Sequence, residues 1–174
     1  MDLINYFINE PEKEFHVREL AKLVKKSPTT VSKYLKQLEK ENVLLSEERL
    51  NHLFFKANTE HDSFKDKKMF YNLQRIRKSG LIEYISQVYN PETIILFGSF
   101  AKAENIERSD IDLLVITPAK KEINIEKYEK NLNHKIQLFL HTKKDIEYMK
   151  TKNPKLLNNF INGVKVYGYW ELFK

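Results

Sequence analysis

Gly98 and Ser99 are followed, after ten residues, by Asp110-Ile111-Asp112, all inside the stretch LFGSFAKAENIERSDIDLLVI from Leu96 to Ile116. The run Thr93 to Phe97 reads as a short buried strand, and IDLLVIT reads as a second one. Side chains alternate along a strand, so Asp110 and Asp112 project from one face while Ile111, Leu113 and Val115 take the other. Carboxylates at that spacing repel each other, and a divalent cation between them removes the repulsion. Hard oxygen donors select Mg²⁺ or Mn²⁺, which in turn grips nucleotide phosphates. Gly98 lets a backbone come close to a ligand, and Ser99 brings a hydroxyl and a main-chain N–H to the start of a short helical turn, a seat for phosphate. Each piece alone is common: a Gly-Ser dipeptide is frequent, and Asp-x-Asp also serves as a solvated strand edge or a pair of turn caps.

The combination is more specific. Strand, Gly98-Ser99, ten-residue spacer and Asp110-x-Asp112 in a second apolar strand resemble the nucleotidyltransferase superfamily that includes DNA polymerase beta, and within it the minimal nucleotidyltransferases of bacteria and archaea. The resemblance covers residues 90–174 and includes the trailing GVKVYGYW. It implies that Gly98 and Ser99 hold the triphosphate of a nucleoside triphosphate and that Asp110 and Asp112 are the metal-binding catalytic pair. Lys102 either assists the phosphates or is surface decoration. The implied reaction is attack of a hydroxyl on the α-phosphate with pyrophosphate leaving, two metals stabilising the attacking and departing oxygens. Relatives also place a third carboxylate on a neighbouring strand. In KIQLFLHT the matching polar position is Gln137, a neutral and weaker ligand, so whether the site transfers or only binds stays open. Asp145 falls in an expected helix, and Glu122 and Glu126 precede the strand.

The elements around this site include a second kind of chemistry. Residues 18–40 hold seven basic residues, Arg18, Lys22, Lys25, Lys26, Lys33, Lys36 and Lys40, against Glu19 and Glu39, although residues 1–60 as a whole carry ten of each sign. Such a patch suits a polyanion, or merely solvates helix exteriors. The apolar spacing of Val17, Leu20, Leu23 and Val24 predicts one helix, and Ser27-Pro28 starts another with a cap and a proline at its first position. Val31, Leu35 and Leu38 form its buried stripe. Thr29, Thr30, Ser32, Lys33, Lys36 and Gln37 then face away from it, suited to bases and phosphates in a major groove of double-stranded DNA. VLLSEERLNHLFFKAN predicts a strand pair around a polar turn from Ser46 to Asn51. Over residues 1–60 this order resembles the winged helix-turn-helix domains of prokaryotic transcription regulators. SEERLN carries two glutamates and one arginine, poor equipment for a phosphate contact.

Residues 61–89 read as connecting helices, one with Met69, Leu73 and Ile76 at helical spacing and a stop at Gly80, the other over LIEYISQVYN. This basic segment either extends the nucleic-acid surface or is a solvated linker helix that also helps to pair two subunits into a homodimer. The expected fold is α+β: an N-terminal winged helix domain, connecting helices, and a nucleotidyltransferase fold with a small mixed sheet flanked by helices. The absence of cysteine removes disulfides, iron–sulfur clusters and thiolate chemistry. No apolar run reaches the roughly 20 residues that cross a bilayer, and the N-terminus lacks the build of a secretion signal, so no membrane association and a cytoplasmic location are expected. His16, His52, His61, His134 and His141 show no metal-ligand spacing and read as surface or strand-end residues. Tyr167, Tyr169 and Trp170 read as part of a packed terminal strand. Two function classes follow. One is a DNA-binding regulator whose transferase fold senses a nucleotide or mediates assembly. The other is a transferase that modifies a protein, RNA or small molecule, a protein partner being suggested by the antitoxin role of many minimal transferases.

Overall fold

The computed structural model describes residues 3–119 and 121–171, and the chain divides between Tyr71 and Asn72 into two compact units. The first unit begins with α1 (Ile4–Asn9), β1 (Phe15–His16), α2 (Val17–Leu23), α3 (Pro28–Lys40), β2 (Leu44–Arg49) and β3 (His52–Ala57). Helix α3 starts where the sequence provides a cap. The Ser27 side chain accepts from Thr30 N at 3.1 Å and Pro28 sits in the first turn. Val31, Leu35 and Leu38 lie on one helical face and are buried with Phe7, Phe15, Leu20 and Phe55, the last from the three-stranded sheet β1-β3-β2. In α2 the expected stripe shifts: Leu20 and Ala21 are the buried residues, Val17 and Val24 are half-buried, and Leu23 is 50% exposed. The 100° step per residue puts Ala21, whose small side chain gives little apolar signal, on the face of Val17, Leu20 and Val24, and turns Leu23 away from it. The wing turn is also tighter than the expected Ser46–Asn51 loop. β2 and β3 pair from Leu44↔Ala57 to Arg49↔His52, leaving only Leu50 and Asn51, both with positive φ, as the connection.

Helix α4 (Asp62–Lys78) buries Phe64 in the first unit's core and Ile76 in the second's. Between them Lys68 and Asn72, each four residues along the same helical face, are 3% and 2% exposed, whereas the expected core residue Met69 is only half-buried.

The second unit continues with α5 (Leu81–Tyr89), β4 (Thr93–Phe97), α6 (Gly98–Ala101), β5 (Ile111–Ile116), α7 (Glu126–Leu132), β6 (Ile136–His141), α8 (Lys143–Lys152), α9 (Pro154–Ile161) and β7 (Val164–Gly168). Its sheet runs β6-β5-β4-β7 and is mixed: β5 is antiparallel to β4 and parallel to β6, while β7 pairs antiparallel with β4. Alternation along β5 feeds two cores. Ile111, Leu113 and Val115 pack with Leu81, Ile82 and Ile85 of α5 and with Tyr128 and Leu132 of α7. Leu114 and Ile116 pack on the other face with Ile146 and Met149 of α8 and with Leu157 and Phe160 of α9, Phe160 meeting Phe97 edge-on at 4.8 Å. The architecture is α+β, a winged helix followed by a small mixed sheet flanked by helices.

Candidate functional site

The nucleotide-type motif assembles where β4 ends and β5 and β6 begin. Phe97, the last residue of β4, pairs with Asp112, and Asp112 lies in register with Gln137 of β6. Asp112 shares the sheet face of Leu114 and Ile116, but at the strand's open end it is half-buried where they are buried. Asp110 immediately precedes the strand. Gly98 has φ +71°, and a methyl group built on it would collide with Asp112 Oδ2 and stand 3.3 Å from its Cγ. The glycine is thus required first for the approach of Asp112, and the Gly-Ser turn and the aspartates are one constellation. Ser99 is half-buried and its carbonyl accepts from Glu104 N at 2.9 Å and from Lys102 N at 3.2 Å. The Lys102 side chain is exposed. Helix α6 has only four residues, so a phosphate seat here depends on the Ser99 hydroxyl and free N–H groups more than on a helix dipole.

The charges in this site are compensated in a specific way. Burial pushes the Asp112 carboxyl above the ordinary carboxylate range, and the Asp110 charge pushes it further. Gln137 Nε2 donates a hydrogen bond to Asp110 Oδ2, so an amide N–H, and no third carboxylate, faces the aspartate pair. His134, in the turn before β6, directs its ring N–H at the carbonyl of Ser109, 2.8 Å away, beside Asp110. Burial lowers the pKa of this histidine, keeping it neutral near pH 7. Sequence spacing gave no reason to single out His134, because its partner lies 25 residues away. On the opposite sheet face an open apolar pocket of about 520 Å³ is lined by Tyr89, Ile123, Ile125, Leu138 and Leu140, away from these groups.

In the first unit, Thr29, Thr30, Lys33, Lys36 and Gln37 of α3 are exposed, and Ser32 is half-buried. Two of the expected base-reading groups already have partners: Thr30 Oγ1 lies 2.8 Å from Ser27 Oγ, and Gln37 Nε2 donates to Glu41 Oε1 at 3.1 Å. On the wing, Arg49 is drawn back to Glu14 and Glu47 and lies 4.7 Å over the Phe54 ring, while Leu50 at the tip is 94% exposed. Among the described residues, exposed Lys33 and Lys36 of α3 enter no ion pair, whereas Arg49 of the wing does.

Comparison with known proteins agrees with both halves. The family described as polymerase beta, nucleotidyltransferase matches residues 79–170, more than half of the chain, and the family described as winged helix-turn-helix DNA-binding matches residues 16–44. The chain belongs to the polymerase beta nucleotidyltransferase family. No curated protein and no solved structure matches it significantly. Within this family member, a winged helix-turn-helix DNA-binding domain precedes the nucleotidyltransferase fold, and no helix among the described residues is long and apolar enough to cross a membrane.

The residues fit part of the metal chemistry the family implies. Asp110 and Asp112 supply hard, charged oxygens, and Asp112 is held at an electrostatic cost that a cation offsets, which fits one Mg²⁺ or Mn²⁺. They do not fit a second cation, because the side chain in register beside Asp112 is an amide whose N–H points at Asp110. Among the described residues no three acidic or histidine side chains cluster as metal ligands.

Proposed function

We propose that the protein is a DNA-binding transcription regulator whose nucleotidyltransferase-fold unit binds a nucleoside triphosphate with one divalent cation and does not turn it over. The supporting observation is the Gln137 amide donating to Asp110 where relatives carry a third carboxylate. Asp110 and Asp112 would hold Mg²⁺ or Mn²⁺, which when bound neutralises polyphosphate charge. Ser99 contributes a hydroxyl to the phosphates, and Lys102, exposed on the following turn, is free to reach them. Gln137 consumes one oxygen of Asp110 and has no charge with which to hold the ion that activates an incoming hydroxyl, so among the described residues none is placed to prepare the acceptor. The regulator reading has the protein in the cytoplasm, a homodimer presenting two copies of α3 to paired half-sites of double-stranded DNA.

A specific observation favours a second reading. Gly98, Ser99, Asp110 and Asp112 converge intact, which suits a Mg²⁺-dependent transferase acting on a protein, RNA or small-molecule acceptor, with the winged helix for targeting or autoregulation. Incubating purified protein with labelled nucleoside triphosphates, Mg²⁺ or Mn²⁺ and cell lysate separates the two. The regulator reading predicts retained nucleotide, no labelled product from the parent, and labelled product from Gln137→Asp. Robust labelling by the parent rejects it in favour of the transferase.

A further inference from the structure

Residues 102–110 connect the two halves of the site, and they form no regular element. A loop of that length has many conformations of similar energy, yet its ends must bring Ser99 and Asp110 to one place. Its own bonds are local: Ile106 N donates to Ser109 Oγ at 2.9 Å and Ser109 N to Ile106 O at 3.0 Å, while Lys102 N and Glu104 N donate back to Ser99 O at 3.2 Å and 2.9 Å. Two side chains from elsewhere in the second unit hold it from outside. Asn72 on α4 donates from Nδ2 to Asn105 Oδ1 at 2.7 Å and to Phe100 O at 3.4 Å. His134 donates to Ser109 O at 2.8 Å and packs its ring edge-on against Phe100 at 4.9 Å. The loop is thereby gripped at positions 100, 105 and 109, and the next residue is Asp110.

The burial of these groups points beyond packing. Asn72 occupies a helix position that Leu would fill at lower cost, since a buried amide must satisfy its polar atoms to be tolerated. The Asn72 amide donates to the loop and to its preceding turn, across 33 and 28 positions of sequence. Asn105 is itself only 8% exposed, in a segment otherwise rich in exposed charge. A loop that only connected two strands would need neither amide in the interior.

We infer that Asn72 and His134 are positioning residues that clamp the loop between Ser99 and Asp110 in the arrangement a nucleotide's phosphates and cation require. The inference rests on the nucleotide-binding reading of the site. Neither residue touches nucleotide; each acts through the main chain of residues 100 to 109. Removing the clamp leaves the sheet intact and lets the carboxylates drift from the Gly98-Ser99 turn.

The test uses the full chain with Asn72→Leu, close in size but without the amide, and His134→Phe, which keeps ring packing on Phe100 and loses the N–H. Amide hydrogen exchange without nucleotide reports the loop, far-UV circular dichroism and melting report the fold, and titration with the four common ribonucleoside triphosphates and Mn²⁺ reports the site. Each variant is expected to speed exchange across residues 102–110 and to weaken nucleotide binding about tenfold, the equivalent of one lost hydrogen bond, while β4 and β5 keep their protection. Asn72→Gln, which keeps an amide donor on a longer stem, is expected to bind between parent and Asn72→Leu, and it carries the test if Asn72→Leu does not fold. Variants that bind as tightly as a binding-competent parent, or whose loop exchanges as slowly, overturn the clamp alone. A parent that binds none of the four overturns the nucleotide reading and the clamp's role with it.

Discussion

Asp112 is held in a charge state that its surroundings disfavour. Its carboxyl pKa in the fold is raised by burial and by Asp110, so between the ordinary carboxylate range and that raised value the folded chain keeps a proton the unfolded chain has lost. Stability therefore falls as pH rises through that window, and at neutral pH the ionised group remains a standing cost. Asp112→Asn is expected to raise the melting temperature at pH 7, with the gain closing as pH drops below the ordinary carboxylate range. Mn²⁺ with nucleotide should stabilise the parent and not the variant. Calorimetric scans at several pH values check both expectations, and a variant that melts below the parent at pH 7 contradicts them. Gly98→Ala tests the neighbouring contact: φ +71° and the approach of Asp112 Oδ2 leave no room for a methyl group, so urea denaturation should show a loss of about 1–3 kcal/mol. At this scale the sequence disclosed residue types and spacing. Gly-Ser and Asp-x-Asp were legible because their chemistry is tied to short separations. The donor role of Gln137 and the position of His134 were not, since both depend on how β6 lies beside β5.

The helices and strands divide the polyanion chemistry unevenly. Exposed Lys33 and Lys36 lie on α3, whereas Arg49 on the wing is already engaged by Glu14, Glu47 and Phe54. Lys33→Ala and Lys36→Ala should each reduce the slope of log affinity against log salt for double-stranded DNA by about one. Arg49→Ala should leave that slope unchanged. Filter binding or anisotropy across a salt series measures it, and equal slopes for the lysine variants and the parent would remove α3 from the phosphate contact. The boundaries of α3 were readable because Ser27, Pro28 and the spacing of Val31, Leu35 and Leu38 all point the same way. In α2 the exposed Leu23 misled, and Ala21 took its place in the core. Helix α4 hid its inner face for a physical reason: periodicity finds apolar residues, and Lys68 and Asn72 occupy buried positions with polar heads.

The whole molecule joins a winged helix-turn-helix DNA-binding domain to a nucleotidyltransferase fold in one chain, each with its own apolar core. Charge follows the same division. The ten basic and ten acidic residues of positions 1–60 cancel overall, and the excess of +6 lies in the remainder of the chain, so the proposed DNA contact rests on where α3 places its lysines and not on the first unit's bulk charge. A regulator of this build needs its nucleotidyltransferase unit only to bind, and one cation suffices to hold a polyphosphate against two aspartates, whereas transfer needs a second to prepare the acceptor. Binding and transfer thus differ in the number of cations the site holds. Electron paramagnetic resonance of Mn²⁺ titrated into the full chain with a non-hydrolysable nucleoside triphosphate measures it. One tightly bound Mn²⁺ per chain, rising to two in Gln137→Asp, is the predicted result; two in the parent would contradict it.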